Sequence, residues 1–217
     1  PAFEKVANRL MATDAKARYQ AVEKLTKVPW WFIAVVHERE ASQNWNTQLG
    51  QGDPLNKKST HVPKGRGPFK TWEDGAVDAL VNCAPFAAKN TDWSPGGALT
   101  MLEKYNGLGY ANKGVPSPYV WAGTDQYVSG KYIRDGVYDP NVVDSQLGCA
   151  GLLKFMGIFK KDQVSGPAAA VVAGGGLYAT FSQFIHAHPY EATAYGVVIV
   201  GLVWWIIHSI RNKNAVA

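Results

Sequence analysis

Cysteine is nearly missing from this chain. Among 217 residues there are only Cys83 and Cys149. Two cysteines allow at most one bridge, and without a C-x-x-C pair they exclude a thiolate zinc site or a dithiol redox motif. Each sits among apolar neighbours, where a free thiol behaves as a small core hydrophobe. Charge is sparse too, at 18% of residues. No run of Lys or Arg exceeds two residues and no nucleic-acid motif is present, so the formal charge of +5 favours anionic partners other than nucleic acid. The first twenty residues are charged and amphipathic, without the apolar run of a secretory signal. A zinc-protease helix is lacking as well. His37-Glu38 opens like H-E-x-x-H, but Ala41 holds the fifth position. His61, His186, His188 and His208 supply no alternative ligand set, so neither a metal nor another cofactor is expected.

Apolar and aromatic residues are abundant: 47% of the chain is hydrophobic, with eight Trp and ten Tyr. Spacing predicts one or two helices from Ala2 to about Lys27, with Thr13-Asp14 as a cap between them. A further helix begins at Pro29, in the first turn where its missing N–H costs nothing. It runs to about Glu40 and is apolar nearly all round, the mark of a buried core helix. Ile33, Val36, His37 and Glu40 share one of its faces, while Glu38 is expected in solvent beside Arg39. Residues 44–68, rich in Gly and Pro, read as a long loop or small β-hairpin region, and loops of such length are usually functional. Helices are predicted over Trp72–Cys83 and Pro95–Tyr105, the second capped by Ser94. Another runs from Asp139-Pro140 to Phe159. Residues 106–139 are dense in Gly, Tyr and turn signals.

Composition divides the chain into 1–160, a mostly helical main domain, then 161–191 and 192–217. The middle stretch, with its Gly174-Gly175-Gly176, suits a flexible linker or a first membrane helix equally. Residues 192–210 are uncharged, about a bilayer's thickness in helical length, and followed by Arg211 and Lys213, so a transmembrane helix or half of a helical hairpin is expected.

The chemistry centres on Glu40. A carboxyl at the exit of a buried helix is desolvated, which raises its pKa toward the range a general acid needs near neutral pH, and the helix C-terminus pushes the same way. Asp53, in the turn "GDPL", is expected to be solvated and ionised. One raised carboxyl and one ordinary carboxylate is the division of labour found in glycosidases. By itself the spacing also fits a surface glutamate and a turn aspartate.

"HERE", "GDPL", "HVPKGRGPF", "YNGLGY" and "SPYVWAGTDQYVSGKYIRDG" together resemble a family of bacteriophage and prophage endolysins of the lysozyme-like superfamily. The resemblance covers about residues 30–153. It implies a mainly α (α+β) lysozyme-like fold, with a helical lobe, a small β-hairpin or loop lobe and a glycan-binding cleft between. It implies a muramidase that cuts peptidoglycan between N-acetylmuramic acid and N-acetylglucosamine, with Glu40 as general acid. A Glu, Asp, Thr order of catalytic residues carries over to Glu40, Asp53 and Ser59, although serine replaces threonine and the Glu-to-Asp interval is longer. His37, His61, Tyr105, Asn106, Tyr110, Tyr119 and Trp121 become candidates for the substrate cleft, and Tyr127 is a further aromatic there. "YNG" at Tyr105–Gly107 also resembles the tyrosine motif of lytic transglycosylases. That leaves open an enzyme that uses Glu40 alone, or a membrane-anchored peptidoglycan-binding protein without catalysis. The expected partners are glycan strands and, through the C-terminal segment, the bacterial inner membrane. The catalytic domain is expected to be a monomer acting on the periplasmic wall.

Overall fold

The computed structural model describes residues 2–50 and 52–159, and these are mainly helical. The predicted linker and membrane segments at 161–217 lie outside the described residues. Among the described residues no helix is long and apolar enough to cross a membrane.

Helix α1 spans Ala2–Leu10, α2 Thr13–Thr26 and α3 Trp30–Ala41. The first break needs no capping side chain. Ala12 occupies the cap position of α2, which corrects the expected Thr13-Asp14 cap, and Asp14 instead places its charge in the first turn where the helix dipole favours it. Lys27 closes α2 in a left-handed conformation, and Pro29 turns out to precede α3 as its cap.

Helix α3 is the centre of the molecule, and every residue from Phe32 to His37 is buried. It packs against α1, α2 and α8 (Cys149–Phe155). Sides that would be polar on a surface helix are here apolar, because neighbours cover each of them. Full burial of each Phe32- or Ile33-sized side chain contributes about 1.5–3 kcal/mol relative to exposure. Helix α4 (Trp72–Asn82) starts at a capping box: the Asp74 amide donates to the Thr71 hydroxyl and the Thr71 amide to the Asp74 carboxylate. Helix α5 (Pro95–Asn106) starts as expected, with Ser94 Oγ accepting from the Gly97 amide at 3.2 Å.

Two short helices, α6 (Gly109–Lys113) and α7 (Pro118–Trp121), lead to an antiparallel hairpin of β1 (Lys131–Arg134) and β2 (Val137–Asp139). Its register pairs Lys131 with Asp139 and Tyr132 with Tyr138, with an irregularity before Arg134. This hairpin stands in the region expected to hold turns. The described residues of 44–68 carry only an isolated bridge, Thr47 to Pro54, so of the two expectations for that stretch the loop holds, and the hairpin stands later in the chain.

The helix expected from Pro140 begins only at Cys149. Gly148 explains the delay. Its amide donates to Ala122 O at 2.8 Å, and a Cβ there would stand 2.5 Å from Val120 O. The chain must therefore cross the backbone of 120–122 in contact before it can coil.

Candidate active site

Glu40 lies in the last turn of α3 and opens onto a cleft of about 590 Å³. Tyr105 and Asn106 from α5, Tyr110 from α6 and Tyr119 from α7 line it, and the hairpin from Lys131 to Gly136 forms another wall. Burial pushes the Glu40 carboxyl up to about 7, against the opposing effects of the Tyr119 hydroxyl and the Arg39 charge. Tyr119 donates to Glu40 Oε1 at 2.9 Å. That bond orients the carboxyl and leaves Oε2 without a bond from Tyr119. The hydroxyls of Tyr105 and Tyr119 are raised by burial and then by the nearby Glu40 charge, so both stay protonated donors.

Beside the acid runs a buried ion-pair network. Arg39, expected in solvent, is buried with Asp144, at 2.8 Å from Nη2 to Oδ2, and their side chains are 5% and 1% exposed. Its guanidinium lies over the Tyr119 ring, 5.0 Å from the centroid. Lys131 reaches the other Asp144 oxygen at 3.0 Å, and the Gln146 amide donates there too. Burial opposes the Asp144 charge, but Arg39 and these donors hold its carboxyl below the ordinary range. One carboxylate thus ties the helix that carries Glu40 to the hairpin wall. Glu38, the other residue expected in solvent, instead receives both bonds from Arg9 Nη2, at 2.8 and 2.9 Å.

No family model, curated protein or solved structure matches this chain. The chemistry of the cleft therefore rests on its own residues.

The candidates separate into three groups. Glu40, Tyr105, Asn106, Tyr110 and Tyr119 come together in the cleft. His37 does not join them: it is fully buried, with Tyr19 Oη at 3.1 Å from Nδ1 and Asn44 O at 3.1 Å from Nε2. With Trp45 and Trp72 packed on its ring, burial pushes its pKa down to about 4, and it is a neutral core histidine. Trp121 is likewise core, at 1% exposure. Tyr127 is buried, and its hydroxyl bonds the 130–144 backbone rather than facing the cleft. Even Tyr110 commits its hydroxyl, which accepts from the Tyr132 amide at 2.9 Å.

Asp53, Ser59 and His61 form the third group, within the loop that precedes α4 and outside the lining of the Glu40 cleft. Asp53 is buried rather than solvated. Burial works against its charge, but the His61 and Thr60 amides, the Thr60 hydroxyl and His61 Nδ1 outweigh it and hold the carboxyl low. Ser59 spans the same loop, its hydroxyl donating to Pro63 O and accepting from the Arg66 amide. Both side chains are fully engaged in shaping a turn. His61 is exposed.

Arg39, Lys131, Tyr132, Asp144 and Gln146 line the cleft and escaped the sequence reading. No local pattern marks them, because Arg39 and Asp144 stand 105 residues apart.

Proposed function

We infer that the chain is a lysozyme-like glycosidase that cleaves peptidoglycan, a muramidase of the endolysin kind. One observation carries this reading: a half-buried carboxyl in a tyrosine-lined cleft, protonated up to about pH 7 and oriented by Tyr119. Such a group is a proton donor for a leaving oxygen under conditions where an ordinary carboxyl is ionised. Glu40 protonates the glycosidic oxygen between N-acetylmuramic acid and N-acetylglucosamine, the bond to the anomeric carbon breaks, and a water adds to that carbon while its proton returns to Glu40. With the Tyr119 hydroxyl given to Glu40 and that of Tyr110 to the Tyr132 amide, Tyr105 is the cleft tyrosine whose hydroxyl donates to a sugar oxygen. Arg39 and Lys131, both paired with Asp144, keep the wall beside Glu40 in place.

A second reading, a lytic transglycosylase, draws on the position of Asp53. A two-carboxylate hydrolase needs an ionised partner across the bond. Asp53 is outside the cleft lining, and Asp144 inside it is held by two cations. With Glu40 acting alone as acid and then base, the muramyl 6-hydroxyl takes the place of water.

The test is mass spectrometry of fragments released from purified sacculi by the full chain and by its Glu40→Gln variant. Reducing ends that vanish in the variant support the muramidase. Anhydromuramyl ends support the transglycosylase. Equal release by both chains, or none by either, refutes Glu40 as the acid of a glycosidase.

A further inference from the structure

Helix α5 buries a second acid, Glu103, at 5% exposure and outside the lining of the cleft. Among the described residues no cation pairs with it, and neither of its carboxyl oxygens closes a well-formed hydrogen bond. Two donors still act on it against burial, the Ser117 hydroxyl and the Ala111 amide. Burial outweighs them and pushes the carboxyl up to about 7, so below that pH Glu103 is a neutral acid. Lys104, Tyr105, Tyr110, Lys113 and Tyr119, the other titratable groups of α5, α6 and α7, are not among the influences on it.

Three elements of the cleft meet at this acid. Asn106, one turn further along the same face of α5, lines the cleft, and its Nδ2 donates to Ser117 Oγ at 3.3 Å. Two α5 side chains thus converge on one fully buried hydroxyl. Ser117 in turn starts α7: its carbonyl accepts from the Val120 and Trp121 amides at 3.2 and 2.9 Å. Two residues on stands Tyr119, the partner of Glu40. Ala111 is the third residue of α6, where an amide has no partner inside its own helix, and it follows Tyr110 directly. An apolar side chain of similar volume would fill the space of Glu103 without the cost of burying a poorly bonded carboxyl. Packing alone therefore does not account for an acid at this position.

We propose that Glu103 is a positioning residue of the cleft: from behind the wall it joins α5 to α6 and to the start of α7, and through Ser117 it keeps Tyr119 on Glu40 and Asn106 in the cleft. This rests on the glycosidase reading for what the cleft does, whereas the link from Glu103 to Glu40 is a property of the fold. The Tyr119 hydroxyl favours the ionised form of Glu40. Whatever lets Tyr119 drift therefore raises the pH at which Glu40 gives up its proton. Glu103 itself touches no substrate and transfers no proton.

The experiment follows the Glu40 carboxyl by carbon NMR in the full chain labelled at its glutamate carboxyls, with Glu40→Gln identifying the signal. The same chains are assayed for release of sugar ends from sacculi and for urea unfolding. Glu103→Leu removes the carboxyl at similar volume, and Glu103→Gln keeps its shape and hydrogen-bonding groups. A net hydrogen bond is worth up to about tenfold, so Glu103→Leu should raise the Glu40 midpoint by up to about one pH unit. It should also slow release of sugar ends by up to about tenfold without lowering stability, since an apolar residue suits a buried site. Glu103→Gln should stay near wild type in both respects. In a Tyr119→Phe chain, Glu103→Leu should move the midpoint no further. Ser117→Ala cuts the link one step nearer Tyr119 and should shift the midpoint likewise, which reads the proposal even where Glu103→Leu does not fold. A purely structural role gives a less stable fold with the midpoint in place. A midpoint unmoved by Glu103→Leu and Ser117→Ala overturns the proposal, as does an equal shift in Glu103→Gln or in the Tyr119→Phe chain. A shifted midpoint with no sugar ends released by the wild type sinks the glycosidase reading and leaves the link standing. Release with an unmoved midpoint sinks the link alone.

Discussion

Replacing Glu40 by Gln should stabilise the folded protein at high pH and change little at low pH. The side chain keeps its shape, and its carbonyl oxygen can still accept from Tyr119. Burial lifts the Glu40 carboxyl from 4.5 to about 7 on folding. Between those values the folded state binds a proton that the unfolded state has released, so wild-type stability falls as pH rises through this window. Each pH unit is worth about 1.4 kcal/mol, and the full interval therefore costs about 3 kcal/mol above pH ~7. Glutamine escapes that cost. Urea unfolding followed by tryptophan fluorescence, with Trp45 and Trp72 packed around His37 as reporters, gives the two stabilities at several pH values. The difference between variant and wild type should be near zero at pH ~4, climb through pH 5 and 6, and level off near 3 kcal/mol above pH 7. His37 and Glu103, which burial also shifts, titrate in both chains and cancel. A difference that is flat with pH, or that favours the wild type at pH ~8, would refute the claim that Glu40 is held protonated by burial.

Tyr119→Phe removes a donor that favours the ionised carboxyl, so the basic limb of the activity profile should move up by about one pH unit, the worth of a net ~1.4 kcal/mol hydrogen bond. Release of sugar ends from sacculi across pH 5–9 reads this directly, and an unmoved or lowered limb counts against it. Asp144→Asn leaves the buried Arg39 without its counter-charge, and urea titration at pH ~7 should show a loss of about 3–5 kcal/mol. Because the Asp144 carboxyl is depressed in the fold, its contribution is complete above its unfolded value and disappears as pH falls through the folded one. The penalty of Asp144→Asn should thus shrink in strong acid, and the uncompensated Arg39 should pull the basic limb of activity downward.

Local pattern determined much of this protein. The run from Trp30 to Val36, apolar on every side and opened by Pro29, fits a helix with neighbours all around it, and polarity returns in the last turn of that helix. That pattern made Glu40 a candidate, and the resemblance to lysozyme-like endolysins singled it out. Ser94-Pro95 likewise announced α5, because caps act within three residues of themselves. What no local pattern contains is the partner on the far side of the fold. Tyr119 meets Glu40 across 79 residues and Asp144 meets Arg39 across 105. Asp53 looked like a second cleft carboxylate because a turn aspartate is usually solvated. Only the folded loop shows four donors closing on it. His37 shared a helix face with Glu40, yet a buried ring goes to whatever polar atoms the core offers, and here those are Tyr19 and the Asn44 carbonyl. Burial and long-range pairing depend on which surfaces meet, so tertiary structure decided which carboxyl is raised, which is locked and which faces the cleft.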